Sequence, residues 1–210
     1  MSNSEMEYGG GTSPPARQSP IPADGLHDAI CYAVVDWGDV CDEYEGVTKG
    51  ILSAVRFFFE FDEKMADGRP FVLSTYPIKI KYGRKSSYRA LLEDWLGAKD
   101  CPESLVGYPL GTLKGRPASI NVVHKRRDDG TYQARIGKVM KARAGAPPLV
   151  VFNTKLPPWV PEAKKKDNEG AQAWEAQQAA RANDAVDDPR PAEGGGFDEV
   201  PFAPFGFPEI

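Results

Sequence analysis

The sequence has few of the residues that build metal sites and many active sites. It contains 3 cysteines and 2 histidines, and their positions match no zinc-binding spacing. The odd number of cysteines, at Cys31, Cys41 and Cys101, indicates free thiols rather than a disulfide framework. The chain also lacks a phosphate-binding loop and a serine or cysteine nucleophile pattern. We therefore expect no metal, no cofactor and no catalytic residues, and we predict that the protein is not an enzyme.

Long apolar runs are absent as well. No stretch approaches the roughly 18 consecutive apolar residues that a membrane-spanning helix requires. Residues 1–11 contain no basic segment followed by an apolar run, which a secretion signal would need. These absences predict a cytoplasmic protein that has no membrane partner.

Glycine and proline are unevenly distributed along the chain. Most of the 19 prolines and the two glycine triplets, residues 9–11 and 194–196, lie towards the two ends, which predicts an ordered centre between weakly ordered termini. We expect a flexible leader over residues 1–20, one folded domain over residues 21–155, and a linker with an acidic tail over residues 156–210.

Charged residues form three blocks that the net charge of −4 conceals. Acidic residues are in excess between residues 24 and 63, basic residues between 64 and 155, and acidic residues again from 167 to 209. A basic block inside a mildly acidic protein favours a polyanionic ligand that is held locally. The alternative is an ordinary solvated surface.

Alternating apolar residues predict five strands. In the second strand Val55, Phe57, Phe59 and Phe61 fall on one face, while Arg56, Phe58 and Glu60 fall on the other. A polar turn separates the first two strands, and Asp67-Gly68 and Asp128-Asp129-Gly130 mark two further turns. The predicted strands span residues 26–37, 51–62, 70–82, 118–125 and 131–141, and residues 149–153 are a candidate extra edge strand.

Between the third and fourth strands the apolar period changes to that of a helix. Ser86 or Ser87 is a suitable N-cap and Gly97 a suitable C-terminal stop. One apolar stripe lies between them, formed by Tyr88, Leu91, Leu92, Trp95 and Leu96. Three strands, one helix and two strands is the order of the OB-fold, a five-stranded Greek-key barrel. We therefore predict a mainly β protein with this barrel and one helix that plugs its end.

The outward faces of such a barrel are candidates for nucleic-acid binding. OB-folds hold single strands by combining a basic groove with aromatic side chains on which bases stack. A phenylalanine at position 58, on the polar-looking face, is expected of a stacking platform, although it could instead pack under a loop or the tail. The cations could be merely solvated. The candidate residues are Arg56, Phe58, Lys79, Lys81, Arg84, Lys125, Tyr132, Arg135 and Lys138.

An acidic cluster offers a second hypothesis. Asp36, Asp39, Asp42 and Glu43 could form the metal-binding site of a nuclease. No compact motif, partnering histidine or catalytic lysine accompanies them. A DNA-processing enzyme, either a nuclease or a strand-annealing recombinase, therefore remains an alternative to a binding protein, as does an adaptor that uses the barrel to bind protein.

The C-terminal residues Asp198, Glu199, Val200, Pro201 and Phe202 combine carboxylates with an exposed Pro-Phe pair, which is typical of a linear docking peptide. This segment resembles the acidic tip of bacterial single-stranded DNA-binding proteins. The resemblance implies recruitment of replication or repair proteins. Unlike that tip, the phenylalanine here is not terminal, because Ala203 to Ile210 follow it.

The central part of the chain is similar to phage-encoded single-stranded DNA-binding proteins. The resemblance lies in three segments, residues 62–71, 92–97 and 114–124. It implies an OB-fold over residues 21–155 and single-stranded DNA as the partner. It further implies a role in phage DNA replication, recombination or repair in the host cytoplasm.

Overall fold

The computed structural model describes residues 20–146 and 148–186. Over these residues the protein is mainly β, as predicted, with one short 3₁₀ helix at Leu110–Leu113. The strands and α-helices of the described part are β1 (Gly25–Tyr44), β2 (Val47–Lys64), β3 (Pro70–Ser74), β4 (Ile78–Lys79), α1 (Ser87–Leu96), β5 (Pro117–Arg126), β6 (Tyr132–Lys141) and α2 (Val160–Val186).

The strands form one antiparallel sheet in the order β3-β2-β1-β5-β6, with β4 paired to β2. The two end strands, β3 and β6, lie near each other. Within the described residues they share no hydrogen-bonded pairing. The prediction of a closed barrel is therefore not met, and the gap between β3 and β6 is called the seam below.

The first hairpin is longer than predicted. The polar segment from Gly38 to Gly46, expected to be a turn, is largely strand, with irregular pairing between Asp36 and Gly38. The chain reverses only at Glu45 and Gly46, whose φ angles are 52° and 76°. A two-residue hairpin turn with positive φ at both positions matches the twist of the flanking strands. The polar composition did not predict this part of the strand. Both faces of a two-stranded hairpin can be exposed to water, so its residues need not be apolar.

The predicted third strand is divided into two. Pro77 lies between β3 and β4, and proline has no N–H group for a strand ladder. The break changes which side chains of this segment face the interior. Tyr76, which unbroken alternation would place on the same face as Ile78 and Ile80, is 57% exposed.

Strand β2 separates two apolar clusters. On its inner face Phe57, Phe59 and Phe61 are buried with Leu92 and Trp95 of α1. The predicted helix is confirmed, including the cap, because the Ser86 hydroxyl accepts a hydrogen bond from the Arg89 N–H, and Gly97 ends the helix at φ 94°. The inner cluster is the main core, since it joins the sheet to α1.

The outer face of β1 and β2 is covered by residues 148–171, which we call the strap. Val151, Val160 and Ala163 of the strap pack on a cluster that contains Tyr32, Trp37, Val40, Ala54 and Phe58. The chain divides into two compact units between Ala171 and Gln172, within α2. The compact unit that contains the sheet extends past residue 155, where the sequence predicted the start of a linker, and α2 begins within that predicted linker. Residues 149–153 form no strand.

Candidate functional site

A cavity of about 520 Å³ lies at the seam. Its walls come from β2, β3 with the two residues after it, β6 and the strap, so that no single segment of the sequence forms it. The side chains that supply its chemistry are three guanidiniums, two large exposed rings and two amides. They belong to Arg56, Arg69, Arg135, Tyr76, Trp159, Gln133 and Asn153.

Arg56 is fixed in this wall by two indole rings. Its guanidinium carbon lies 4.7 Å from the centre of the Trp37 ring and 4.5 Å from that of Trp159. Its Nε donates a hydrogen bond of 3.2 Å to the Ser74 hydroxyl. Burial lowers the pKa of Arg56, an effect that the nearby Asp167 carboxylate opposes. Because guanidinium pKa values lie far above neutral, the group stays charged although it is partly removed from water.

Arg135 is held in a similar way on the opposite wall. Its guanidinium carbon lies 5.3 Å from the centre of the Tyr76 ring, and one terminal nitrogen donates to the Gln133 amide oxygen at 3.3 Å. The Nε atom is buried, and no hydrogen-bond partner for it is present in the described part of the protein. A buried donor without a partner costs about 1–3 kcal/mol.

Neither guanidinium forms an ion pair with any carboxylate of residues 20–146 or 148–186. Cations removed from water are normally compensated by an anion, since desolvation is costly. Aromatic faces compensate only in part, by about 0.5–2 kcal/mol each. The cavity therefore offers two positioned guanidiniums without a direct ion pair in this part of the chain, although the Asp167 carboxylate lies near enough to Arg56 to affect its pKa.

Two rings at the same cavity remain open to solvent. Tyr76 is 57% exposed and Trp159 is 43% exposed, and each has a guanidinium over one face. Flat rings beside fixed cations are suited to a ligand that alternates planar groups with negative charges.

The structure brings together only part of the predicted binding set. Arg56 and Arg135 both line the cavity. Phe58 also borders it, but the ring is 0% exposed and packs beside Tyr32 and Trp159. The expectation of an exposed stacking ring at Phe58 is therefore wrong, because the strap covers this face of the sheet.

Lys79 and Lys81 are both engaged by one carboxylate. Asp42 accepts hydrogen bonds from Lys81 at 2.6 Å and from Lys79 at 2.9 Å. These bonds lower the pKa of Asp42, with Lys81 contributing most. The nuclease hypothesis included both Asp42 and Asp39. Asp42 is engaged by the two lysines, and Asp39 accepts a hydrogen bond from the Ser53 hydroxyl. Among the described residues, no three metal-binding side chains are grouped as a metal ion would require.

The remaining predicted residues lie outside the cavity lining. Lys138 forms an ion pair of 3.0 Å with Asp94 of α1. Tyr132, 54% exposed, lies 6.5 Å from His124 between ring centres. Arg84 and Lys125 are exposed. The tail residues Asp198 to Phe202 lie outside the described part of the chain.

Sequence reasoning missed Tyr76 and Trp159. Tyr76 lay within a single predicted strand over residues 70–82, so that alternation placed it with Ile78 and Ile80. Pro77 was the signal that this alternation would fail. Trp159 follows Pro157 and Pro158 in a segment predicted to be a linker. Tryptophan side chains are mostly buried in folded proteins. A tryptophan in a predicted linker was therefore a sign that this segment packs against the domain.

Comparison of the sequence with protein-family models gives no match, and comparison with curated proteins gives none either. Among the described helices, none is both long and apolar enough to cross a bilayer. The case for a function therefore depends on the cavity and its surroundings.

Proposed function

We propose that this protein binds single-stranded DNA without sequence preference, using the seam cavity. One observation carries the proposal: two partly buried guanidiniums without a carboxylate partner line the same cavity as two exposed aromatic rings. A single strand presents phosphates and unpaired bases in alternation, so it can satisfy both kinds of group. In a duplex the base faces are stacked on one another and unavailable to such rings.

The architecture supports the same proposal. The strand order, with α1 inserted before β5, is the order expected of an OB-fold, although the sheet is not closed at the seam. OB-folds bind oligonucleotides on the face of their second and third strands. Arg56 on β2 and Ser74 on β3 lie on the wall of the cavity, which corresponds to that face.

The biological role follows from the same reasoning. A protein that coats exposed strands would act in DNA replication, recombination or repair, and the resemblance to phage proteins suggests the cytoplasm of a bacterial host. The segment Asp198 to Phe202 would recruit partner proteins through its carboxylates and its Pro-Phe pair. The protein would be a binding protein rather than an enzyme.

Titration with poly-dT at several salt concentrations tests the proposal. We expect binding that weakens linearly on a log–log plot of affinity against salt, because phosphate contacts release counterions. We also expect a labelled acidic peptide of matched charge to bind much more weakly, since it has no base faces. Binding of the peptide without binding of poly-dT at low salt would favour the protein adaptor and contradict the proposal.

A further inference from the structure

The strap presents its largest apolar side chains to solvent. Val150 is 86% exposed, Phe152 is 63% exposed, and Leu156 and Trp159 are 39% and 43% exposed. Its inward contacts come mainly from smaller side chains, those of Val151, Val160 and Ala163. Several exposed apolar side chains within one short segment are typical of an interaction surface rather than of a segment that only completes a core.

We call the part of the strap that carries these exposed side chains, residues 150–159, the ridge. Polar contacts fix the ridge to the sheet. Glu60, only 2% exposed, accepts hydrogen bonds from the backbone N–H groups of Phe152 and Asn153. Farther along the strap, Asp167 accepts a hydrogen bond of 2.7 Å from the Trp37 indole N–H. The Trp159 ring is held on the Arg56 guanidinium. Phe152 and Trp159 are therefore positioned in advance, which lowers the entropy lost when a ligand contacts them.

The strap borders the seam cavity and also a second pocket, which Val150 and Phe152 line. Asn153, Pro157 and Trp159 belong both to the strap and to the cavity wall. Between residues 148 and 161 the only charged residue is Lys155, so this stretch of the strap adds no carboxylate. The carboxylates beside Phe152 are those of Glu60 and Asp62 in β2, and Glu60 is occupied by the strap backbone.

We propose that the strap, and not the bare sheet, is the stacking platform for unpaired bases, with Phe152 and Trp159 as its rings. This inference rests on the proposed function, which it deepens by naming the residues that contact bases beyond the arginine pair. The strap thereby takes the role that the sequence pattern assigned to Phe58, which lies beneath it. Phosphates of the same strand occupy the positions next to Arg56 and Arg135.

The test compares Phe152→Ala and Trp159→Ala with Val150→Ala, a truncation of the most exposed apolar residue of the same ridge. Each protein is titrated with a dT oligonucleotide and with an abasic oligonucleotide of equal length. Stacking on one ring corresponds to about a fivefold to hundredfold change in affinity. We expect each ring truncation to weaken dT binding within that range and to change abasic binding by less than about twofold, and Val150→Ala to change neither.

Trp159→Phe keeps the protein testable if Trp159→Ala does not fold. We expect this variant to retain most of the affinity, because the ring remains, while losing most of the tryptophan quenching that dT causes in the wild type. Undiminished dT affinity in Phe152→Ala, together with undiminished tryptophan quenching in Trp159→Phe, would overturn the inference while leaving the proposed function intact. Equal losses for dT and abasic strands would also overturn it. If the wild type binds no poly-dT, the proposed function itself fails.

Discussion

Arg56 and Arg135 lie against aromatic rings, whereas Lys79, Lys81 and Lys138 lie against carboxylates. All five belong to the set of cations that the sequence pattern nominated for binding. A lysine that already donates to a carboxylate is largely neutralised and must break that contact before it can meet a phosphate. A guanidinium on a ring keeps its outer N–H donors for an incoming anion. The number of cations on a surface therefore says less about binding than the identity of their neighbours.

The largest effect, on the free energy of unfolding, is expected from Phe58→Ala. This change removes the buried ring against which Arg56 and Trp159 pack. Truncation of a buried phenylalanine costs about 3–5 kcal/mol, so we expect a loss of this size in urea unfolding followed by circular dichroism. Tyr132→Ala, at a ring that is 54% exposed, should change stability by no more than about 0.5 kcal/mol. A fully stable Phe58→Ala protein with weakened DNA binding would restore Phe58 as a stacking residue.

The double variant Arg56→Ala/Arg135→Ala addresses the comparison directly. Hydrogen bonds to charged groups contribute about 1.5–3 kcal/mol each, so we expect dT affinity to fall by about a hundredfold or more in fluorescence anisotropy. The matched control is Lys138→Ala/Lys141→Ala, which removes the same charge from residues paired with Asp94 and Asp100. Equal losses of dT affinity in the two double variants would show that DNA binding depends only on the net charge of the protein.

Arg143 sharpens the comparison, because it is a guanidinium paired with a carboxylate. It donates two hydrogen bonds to the buried Asp28, at 3.0 and 2.6 Å, and these lower the pKa of Asp28. The stabilisation is therefore complete at neutral pH and is lost as the pH falls through that lowered pKa, below about 4.

We accordingly expect Asp28→Asn to destabilise the protein by about 2 kcal/mol at neutral pH. The difference in free energy of unfolding between Asp28→Asn and the wild type should become smaller in urea titrations at acid pH, where Asp28 becomes protonated. DNA affinity should stay unchanged, because Asp28 and Arg143 lie outside the cavity lining. A difference in free energy of unfolding that is constant across pH would mean that the ionised pair does not stabilise the fold.

The smallest effect is expected from Asp42→Asn, which frees Lys79 and Lys81 from their shared carboxylate. If both lysines then reach phosphates, the log–log salt slope steepens by up to about 1.4, at roughly 0.7 per contact on single strands. We expect affinity at low salt to rise by about threefold. An unchanged slope would show that these lysines do not reach the strand even when they are free.

The sequence predicted most of the secondary structure because the relevant signals are local. The cap at Ser86, the apolar stripe and the stop at Gly97 all lie within one short segment, and each is found in α1. The alternation of Phe57, Phe59 and Phe61 likewise placed three rings correctly in the core. Errors arose where an acidic, polar segment was interpreted as a turn instead of the long arm of β1 and β2, and where alternation was extended through Pro77.

The candidate site was predictable only in part, for a different reason. Alternation established that Arg56, Phe58 and Glu60 share one face of β2, and the structure agrees that this face is not the main core. Alternation cannot show whether such a face meets water or another segment. Here residues about 90 positions later cover it, since Glu60 binds the backbone of Phe152 across 92 residues of sequence.

The amino-acid sequence alone therefore determined the mainly β character, the helix between the strands, the phenylalanine core and the basic block, because each depends on neighbours within a few residues. Only the tertiary structure decided which cations keep free donors and which rings stay exposed. Asp42 meets Lys79 and Lys81 from 37 and 39 residues away, and Trp159 meets Arg56 across the strap. Charge pairing and burial are set by contacts in space, and those contacts exist only once the chain has folded.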